Sequence, residues 1–236
     1  MADKICGIVG GLGPEATLDL FRKILKNTPA QRDQDHIPLI IFCNPKIPSR
    51  YKAILEKGES PLTRLIEAVK KLEFAGAEFI AIACNLAHYW YDELIKVTKV
   101  PILHIVKETV EFVSANYNVK KVGFLAPSPT LTVGLYVNEL RDAKYEVITL
   151  DTDATKRLID EAIYSPTGIK AGYLIENVHK VLEAIEILIE KGAEIVILGC
   201  TELPLILDFL PEPIRRKVVD PTDVLAKKIV RISKNL

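Results

Sequence analysis

Gly76-Ala77-Glu78-Phe79-Ile80-Ala81-Ile82-Ala83-Cys84 and Gly192-Ala193-Glu194-Ile195-Val196-Ile197-Leu198-Gly199-Cys200 follow one pattern. Each begins with a glycine suited to ending a helix, continues through Ala-Glu into an apolar run of strand length, and stops at a cysteine. The offset between them is 116 positions, and the same offset places Glu67-Ala68 on Glu183-Ala184 and Leu72 on Leu188. It also places Lys4 on Lys120 and Gly7 on Gly123, where each half begins. Self-similarity at one fixed offset, without a gap, is the mark of an internal duplication. The expected halves are residues 1–116 and 117–236, with an exchange of the C-terminal helix between them left open.

Working outward, short apolar runs alternate with longer helical patterns. Ile5–Val9, Pro38–Cys43, Phe79–Ala83 and Pro101–His104 read as four strands, and Val122–Ala126, Tyr145–Leu150, Ile195–Gly199 and Lys217–Val219 as four more. Between them, Ser60-Pro61 opens a helix. Leu62, Leu65, Ile66, Val69 and Leu72 give it an apolar stripe, and Gly76 ends it. This alternation predicts an α/β protein of two similar domains, each a four-stranded parallel sheet flanked by helices. Ligands of such sheets bind outside the carboxyl ends of the strands. Cys84 and Cys200 both fall there, so two halves facing each other would set the thiols on opposite sides of one cleft.

Composition narrows the function classes. Lys+Arg and Asp+Glu both number 31, so neither a nucleic-acid partner nor an acidic tail is indicated. No apolar run approaches the ~20 residues of a membrane span, and the amino-terminal residues lack a cleavage pattern, so a cytoplasmic protein is expected. The four cysteines form no CxxC pair, and no metal site is indicated. Cys6 and Cys43 lie inside expected strands and are read as structural.

Cys84 and Cys200 carry the chemistry. A thiol at a helix start meets unpaired N–H groups and a partial positive charge, which favour thiolate. The same groups suit a substrate carboxylate. Inverting a stereocentre by proton transfer needs a base on one face and an acid on the other, and a thiolate–thiol pair related by pseudo-symmetry supplies both. Backbone N–H groups after the two cysteines, with the side chains of Asn85 and Thr201, are candidates for stabilising the carbanion. His88, one helical turn beyond Cys84, could tune that thiol or serve as a cap or packing group. Glu202 could orient Cys200 or cap the helix. Gly11-Leu12-Gly13-Pro14-Glu15-Ala16 fits a dinucleotide fingerprint, but no acid follows the next strand to hold a ribose, and Glu15 would repel a pyrophosphate. The glycines are instead expected to let backbone approach the substrate.

Four motifs together resemble the aspartate/glutamate racemase family, in its aspartate racemase branch. They are Gly10-Gly11-Leu12-Gly13-Pro14-Glu15-Ala16-Thr17, Asn44-Pro45-Lys46-Ile47-Pro48, Ala83-Cys84-Asn85 and Gly199-Cys200-Thr201-Glu202. The resemblance runs nearly end to end. It implies two α/β domains, a homodimer, and racemisation without pyridoxal phosphate or metal, with Cys84 and Cys200 as the acid/base pair. It further implies that Arg50 and Lys170 meet the side-chain carboxylate of the substrate, and that Asn85 and Thr130 hold the amino-acid end. Ser49 stands where the family has Asp, Leu86 where it has Thr, and Pro127 and Pro129 where it has Thr and Gly. These departures fall at expected substrate contacts. They keep open a racemase or isomerase of altered specificity, an isomerase or decarboxylase using one cysteine, a non-catalytic binder of small acids, and a dithiol switch.

Overall fold

Runs rich in β-branched residues form the strands of two parallel sheets in the computed structural model, which describes residues 3–236. The first sheet holds β1 (Cys6–Gly10), β2 (Leu39–Cys43) and β3 (Phe79–Ile82) in the order β2-β1-β3. The second holds β4 (Lys121–Leu125), β5 (Glu146–Ile148), β6 (Ile195–Leu198) and β7 (Val218–Val219) in the order β5-β4-β6-β7. Their ends differ by a residue or two from the sequence expectation.

The repeat offset recurs in the strand pairing of the two sheets. β1 pairs with β3 as Cys6 with Phe79, and β4 with β6 as Val122 with Ile195, both shifted by the same offset. The helix Leu62–Phe74 buries Leu65, Ala68, Val69 and Leu72. The helix Val178–Glu190 buries Val181, Ala184, Ile185 and Leu188, the same four positions one repeat later. Each of the larger side chains contributes about 1.5–3 kcal/mol by leaving water. Both helices stop at a left-handed glycine, Gly76 at φ +93° and Gly192 at φ +99°. The backbone N–H of Ile5 donates to the Glu78 carboxylate at 2.7 Å, and that of Lys121 donates to Glu194 at 2.8 Å. A glutamate after each helix therefore ties down the start of each sheet.

One expectation is corrected. The segment Pro101–His104 is not a full strand: Ile102 makes only an isolated parallel bridge to Ile80. The Ile80 N–H donates to the Pro101 carbonyl, and the Leu103 N–H donates to the Ile80 carbonyl, each at 2.8 Å. Proline has no N–H to extend the ladder, and the chain enters the helix Ile105–Asn116 directly afterwards. The first sheet thus has three strands and a bridge where four strands were expected.

By its contacts the chain divides into one unit of residues up to Glu108 with Thr222–Leu236, and a second unit of Thr109–Pro221. The terminal helix Pro221–Ser233 is fastened within the first unit. Asn27 donates to Asp223 at 2.8 Å, and the Ser233 hydroxyl donates to the Lys4 carbonyl at 2.6 Å. Among the described residues no helix is long and apolar enough to cross a membrane.

Candidate active site

In the first unit β3 ends at Ile82, and the chain leaves the sheet through Ala83, whose N–H donates to the Val9 carbonyl at 3.0 Å. Cys84 follows and is 8% exposed. The next element is a short 3₁₀ turn, Leu86–Trp90, with Asn85 and His88 buried beside it. His88 Nδ1 lies 2.9 Å from the Cys84 carbonyl oxygen and 3.2 Å from that of Asn85, and the Ile105 N–H points at Nε2 from 3.3 Å. The Leu103 carbonyl oxygen also lies 3.3 Å from Nε2; two carbonyl acceptors at Nδ1, one of them at 2.9 Å, and the Ile105 donor at Nε2 favour the proton on Nδ1. Burial pushes the His88 pKa down, which agrees with this neutral form. Of its two expected roles, His88 fills the structural one: it fastens the backbone under Cys84 to the start of the next helix.

His104 stacks beside it, 4.9 Å from the His88 ring and 4.5 Å from that of Tyr91. Burial first, then the nearness of a second imidazole at His88 that would compete for the proton, and the charge of Lys107, lower its pKa to about 3.

Ser49 and Arg50 stand in the loop after β2. The Ser49 hydroxyl accepts from the Lys52 N–H at 3.3 Å and caps the helix Arg50–Leu55. The Arg50 guanidinium donates to the carbonyls of Ile47 at 3.2 Å, Pro48 at 2.8 Å, and Leu12. The arginine thus pins its own loop to the glycine turn after β1. That turn is also latched by Thr17, whose hydroxyl accepts from the Gly11 N–H and donates to the Gly13 carbonyl, each at 2.9 Å. Gly11 has φ +84°, and a Cβ there would lie 2.4 Å from the backbone of Asn44. The close approach that requires glycine at position 11 is made to the chain's own loop at Asn44. Thr17 belongs to a quoted motif, but residue type alone did not reveal its latch.

In the second unit β6 ends at Leu198, and Gly199 leads into Cys200, 9% exposed. The Cys200 thiol donates to Glu202 Oε2 at 3.0 Å, and the Thr201 hydroxyl donates to the same oxygen at 3.3 Å. Lys170 pairs with the other carboxylate oxygen. Four predicted or weighed residues therefore form one cluster: Cys200, Thr201, Glu202 and Lys170. Burial, then the negative charge of Glu202, raise the Cys200 pKa well above the usual thiol range, while Lys170 opposes them. The expectation that a helix start would favour thiolate fails at Cys200. The element that follows is a 3₁₀ turn, Leu203–Phe209, and a carboxylate touches the sulfur before the turn begins.

Thr130 is buried in the short helix Ser128–Val133, and its N–H donates to the Pro127 carbonyl at 2.9 Å. The loop before it is held by Asp160, which accepts the Ser128 N–H at 2.8 Å and also the Ser128 hydroxyl. No sequence signal linked Asp160 to this loop across 32 positions. A cavity of about 290 Å³ beside the loop reaches Ser128, Arg141, Thr149 and Thr152, but its lining includes neither Cys200 nor Lys170.

A family model described as Asp/Glu/Hydantoin racemase matches residues 9–229. The chain belongs to this family. A broad-specificity amino-acid racemase of Bacillus subtilis (strain 168), RacX, is 29% identical over 228 residues, covering 95% of this chain and 96% of the relative. Among solved structures, the Picrophilus torridus aspartate racemase superposes with a TM-score of 0.86 at 29% identity, covering 98% of this chain and 94% of that one. An aspartate racemase homologue from Pyrococcus horikoshii OT3 gives a TM-score of 0.75 at 27% identity, covering 98% and 99%. The family resemblance drawn from the four motifs is thereby established, and the chain is an amino-acid racemase of the Asp/Glu racemase family.

Proposed function

We propose that the protein interconverts the enantiomers of an acidic amino acid, aspartate first and glutamate second, by passing the Cα proton between Cys84 and Cys200 without a cofactor. One sulfur, as thiolate, takes the proton from Cα. The other, as thiol, returns a proton to the opposite face, and the two sulfurs end with exchanged protonation states. Donors on the substrate carboxylate stabilise the intervening carbanion, with Asn85, Thr201 and Thr130 the assigned side chains. The observation that carries this reading is the equivalence of the two cysteines. Each stands two residues beyond the last residue of a strand paired in the same repeat register. A homodimer is part of the same proposal.

A second reading, a racemase of altered or broad specificity, is favoured by one specific observation. Arg50 and Lys170, the cations assigned to the substrate's side-chain carboxylate, are engaged within the protein by backbone carbonyls and by Glu202. The name of the Bacillus relative supports it as well.

The test is incubation in D₂O without added cofactor, with L-aspartate, L-glutamate and a panel of other amino acids. Loss of the Cα–H signal is followed by NMR and the D-enantiomer by chiral chromatography, with Cys84→Ala and Cys200→Ala alongside. Exchange with D-product, with formation of the opposite enantiomer lost in both variants, supports the two-thiol reaction and names the substrate. Racemisation that survives either substitution would sink it.

A further inference from the structure

The two halves place their cysteines at the same repeat position but surround them with different side chains. The repeat offset that superimposes Cys84 on Cys200 and Asn85 on Thr201 places Leu86 on Glu202. The second half therefore holds a carboxylate where the first holds an apolar side chain. That carboxylate is 4% exposed and accepts the Cys200 thiol at 3.0 Å and the Thr201 hydroxyl at 3.3 Å. Its other oxygen is paired with Lys170. At the first cysteine the neighbouring titratable side chain is His88, whose ring bonds the Cys84 carbonyl, not its sulfur.

We propose that Glu202 is a positioning residue that breaks the equivalence of the two sulfurs: in the ligand-free enzyme it holds Cys200 as the protonated thiol, so Cys84 enters the first turnover as the base and Cys200 as the acid. This rests on the two-thiol reading above and deepens it. An ionised sulfur 3.0 Å from a carboxylate would bring two negative charges together in a buried site. A thiol in the same place donates a hydrogen bond instead. Lys170 sets the strength of the bias. While it pairs with Glu202 it offsets part of the negative charge, and when drawn away it leaves Cys200 held more firmly as thiol. The charges that reach the sulfur are those of Glu202 and Lys170. The reaction's equilibrium is untouched, since enantiomers are isoenergetic. What differs is which enantiomer meets a ready base.

The experiment measures the two thiols directly. The native protein is alkylated with iodoacetamide between pH 6 and 10, and modification at Cys84 and Cys200 is read separately by peptide mass spectrometry. Wild type is expected to label Cys84 faster than Cys200 at neutral pH. In Glu202→Gln, the Cys200 midpoint falls by about one unit or more, and its labelling at neutral pH rises about tenfold. Lys170→Met, which keeps the carboxylate, shifts Cys200 the opposite way and guards against a Glu202 variant that fails to fold. An unchanged Cys200 midpoint in both variants, or faster wild-type labelling at Cys200 than at Cys84, overturns the assignment. Labelling needs no turnover, so racemisation assayed on unlabelled portions of the same proteins separates failure of this inference from failure of the racemase reading.

Discussion

Gly199→Ala puts the packing behind Cys200 under direct test. A Cβ at Gly199 would lie 2.4 Å from two ring carbons of Phe124 and 2.8 Å from the Cβ of Ala126. Ordinary carbon contacts lie near 3.5–4.0 Å, so about 1 Å of movement is required. The ring cannot retreat easily: it stacks on buried Tyr136 at 4.8 Å between centroids. Overpacking of this kind costs about 2–3 kcal/mol, a fall of roughly 4–12 °C in the melting midpoint for a chain of this size. The first half shows the remedy. Its equivalent residue is Ala83, tolerated and buried, and the positions matching Phe124 and Ala126 are Ile8 and Gly10. Phe124→Ile should therefore rescue Gly199→Ala, with a favourable coupling of about 1 kcal/mol or more in a double-mutant cycle followed by urea unfolding. A single variant within about 0.5 kcal/mol of wild type, or a strictly additive pair, would refute the steric argument.

Cys84→Ser and Cys200→Ser should each lower racemisation at least about a hundredfold while leaving the circular dichroism spectrum unchanged; racemisation retained by either variant contradicts the two-base scheme. Gly76→Ala and Gly192→Ala should each cost about 1 kcal/mol through left-handed backbone strain, and by nearly equal amounts, because a Cβ at Gly76 meets nothing and one at Gly192 meets only the Lys121 side chain at an ordinary 3.7 Å; urea midpoints check the equality. His88 and His104 have folded pKa values below their unfolded value of about 6.5. As pH falls the unfolded chain therefore takes up protons first. The stability they contribute is complete above about pH 6.5 and is lost as pH falls toward the value of about 3 at His104. Unfolding free energies at pH 7 and 5, in wild type and His104→Gln, test this: the variant should show the shallower slope.

Much of the architecture was legible because duplication leaves a periodic trace that needs no structure to find. The offset read from Cys84 and Cys200 reproduces the β1–β3 and β4–β6 registers and the buried faces of both helices. The strand expected at Pro101–His104 was the weak point, since an apolar run beside a proline reads as strand whether or not its ladder extends past one bridge. At the candidate site, the placing of each cysteine just past a strand was legible from its repeat position. The engagements of the charged residues were not. Arg50 reaches back to Leu12 across 38 positions, and Lys170 reaches Glu202 across 32. Long side chains choose partners by tertiary proximity, and no local pattern encodes that choice. Glu202 was weighed for its nearness in sequence to Cys200, but the direction of its influence on the thiol follows only from the bond they share.

The places where the halves agree and differ are themselves informative. Agreement concentrates where helix passes into strand: Gly76 and Gly192 end the helices, Ala77 and Ala193 pack on Gly7 and Gly123, and Glu78 and Glu194 bind the first strands. The carboxyl ends of the strands differ. There the first half closes the turn after β1 with Thr17, and the second holds the turn after β4 with Asp160. Ala83 is matched by Gly199, Leu86 by Glu202, and His88 by Pro204. Under the proposed reaction this difference has a chemical reason, because the two faces and substituents of a chiral substrate are not met by identical surroundings. The cysteines are the exception. They sit within the divergent end and remain the same in both halves, as expected if proton transfer requires a matched pair and everything around the pair requires asymmetry.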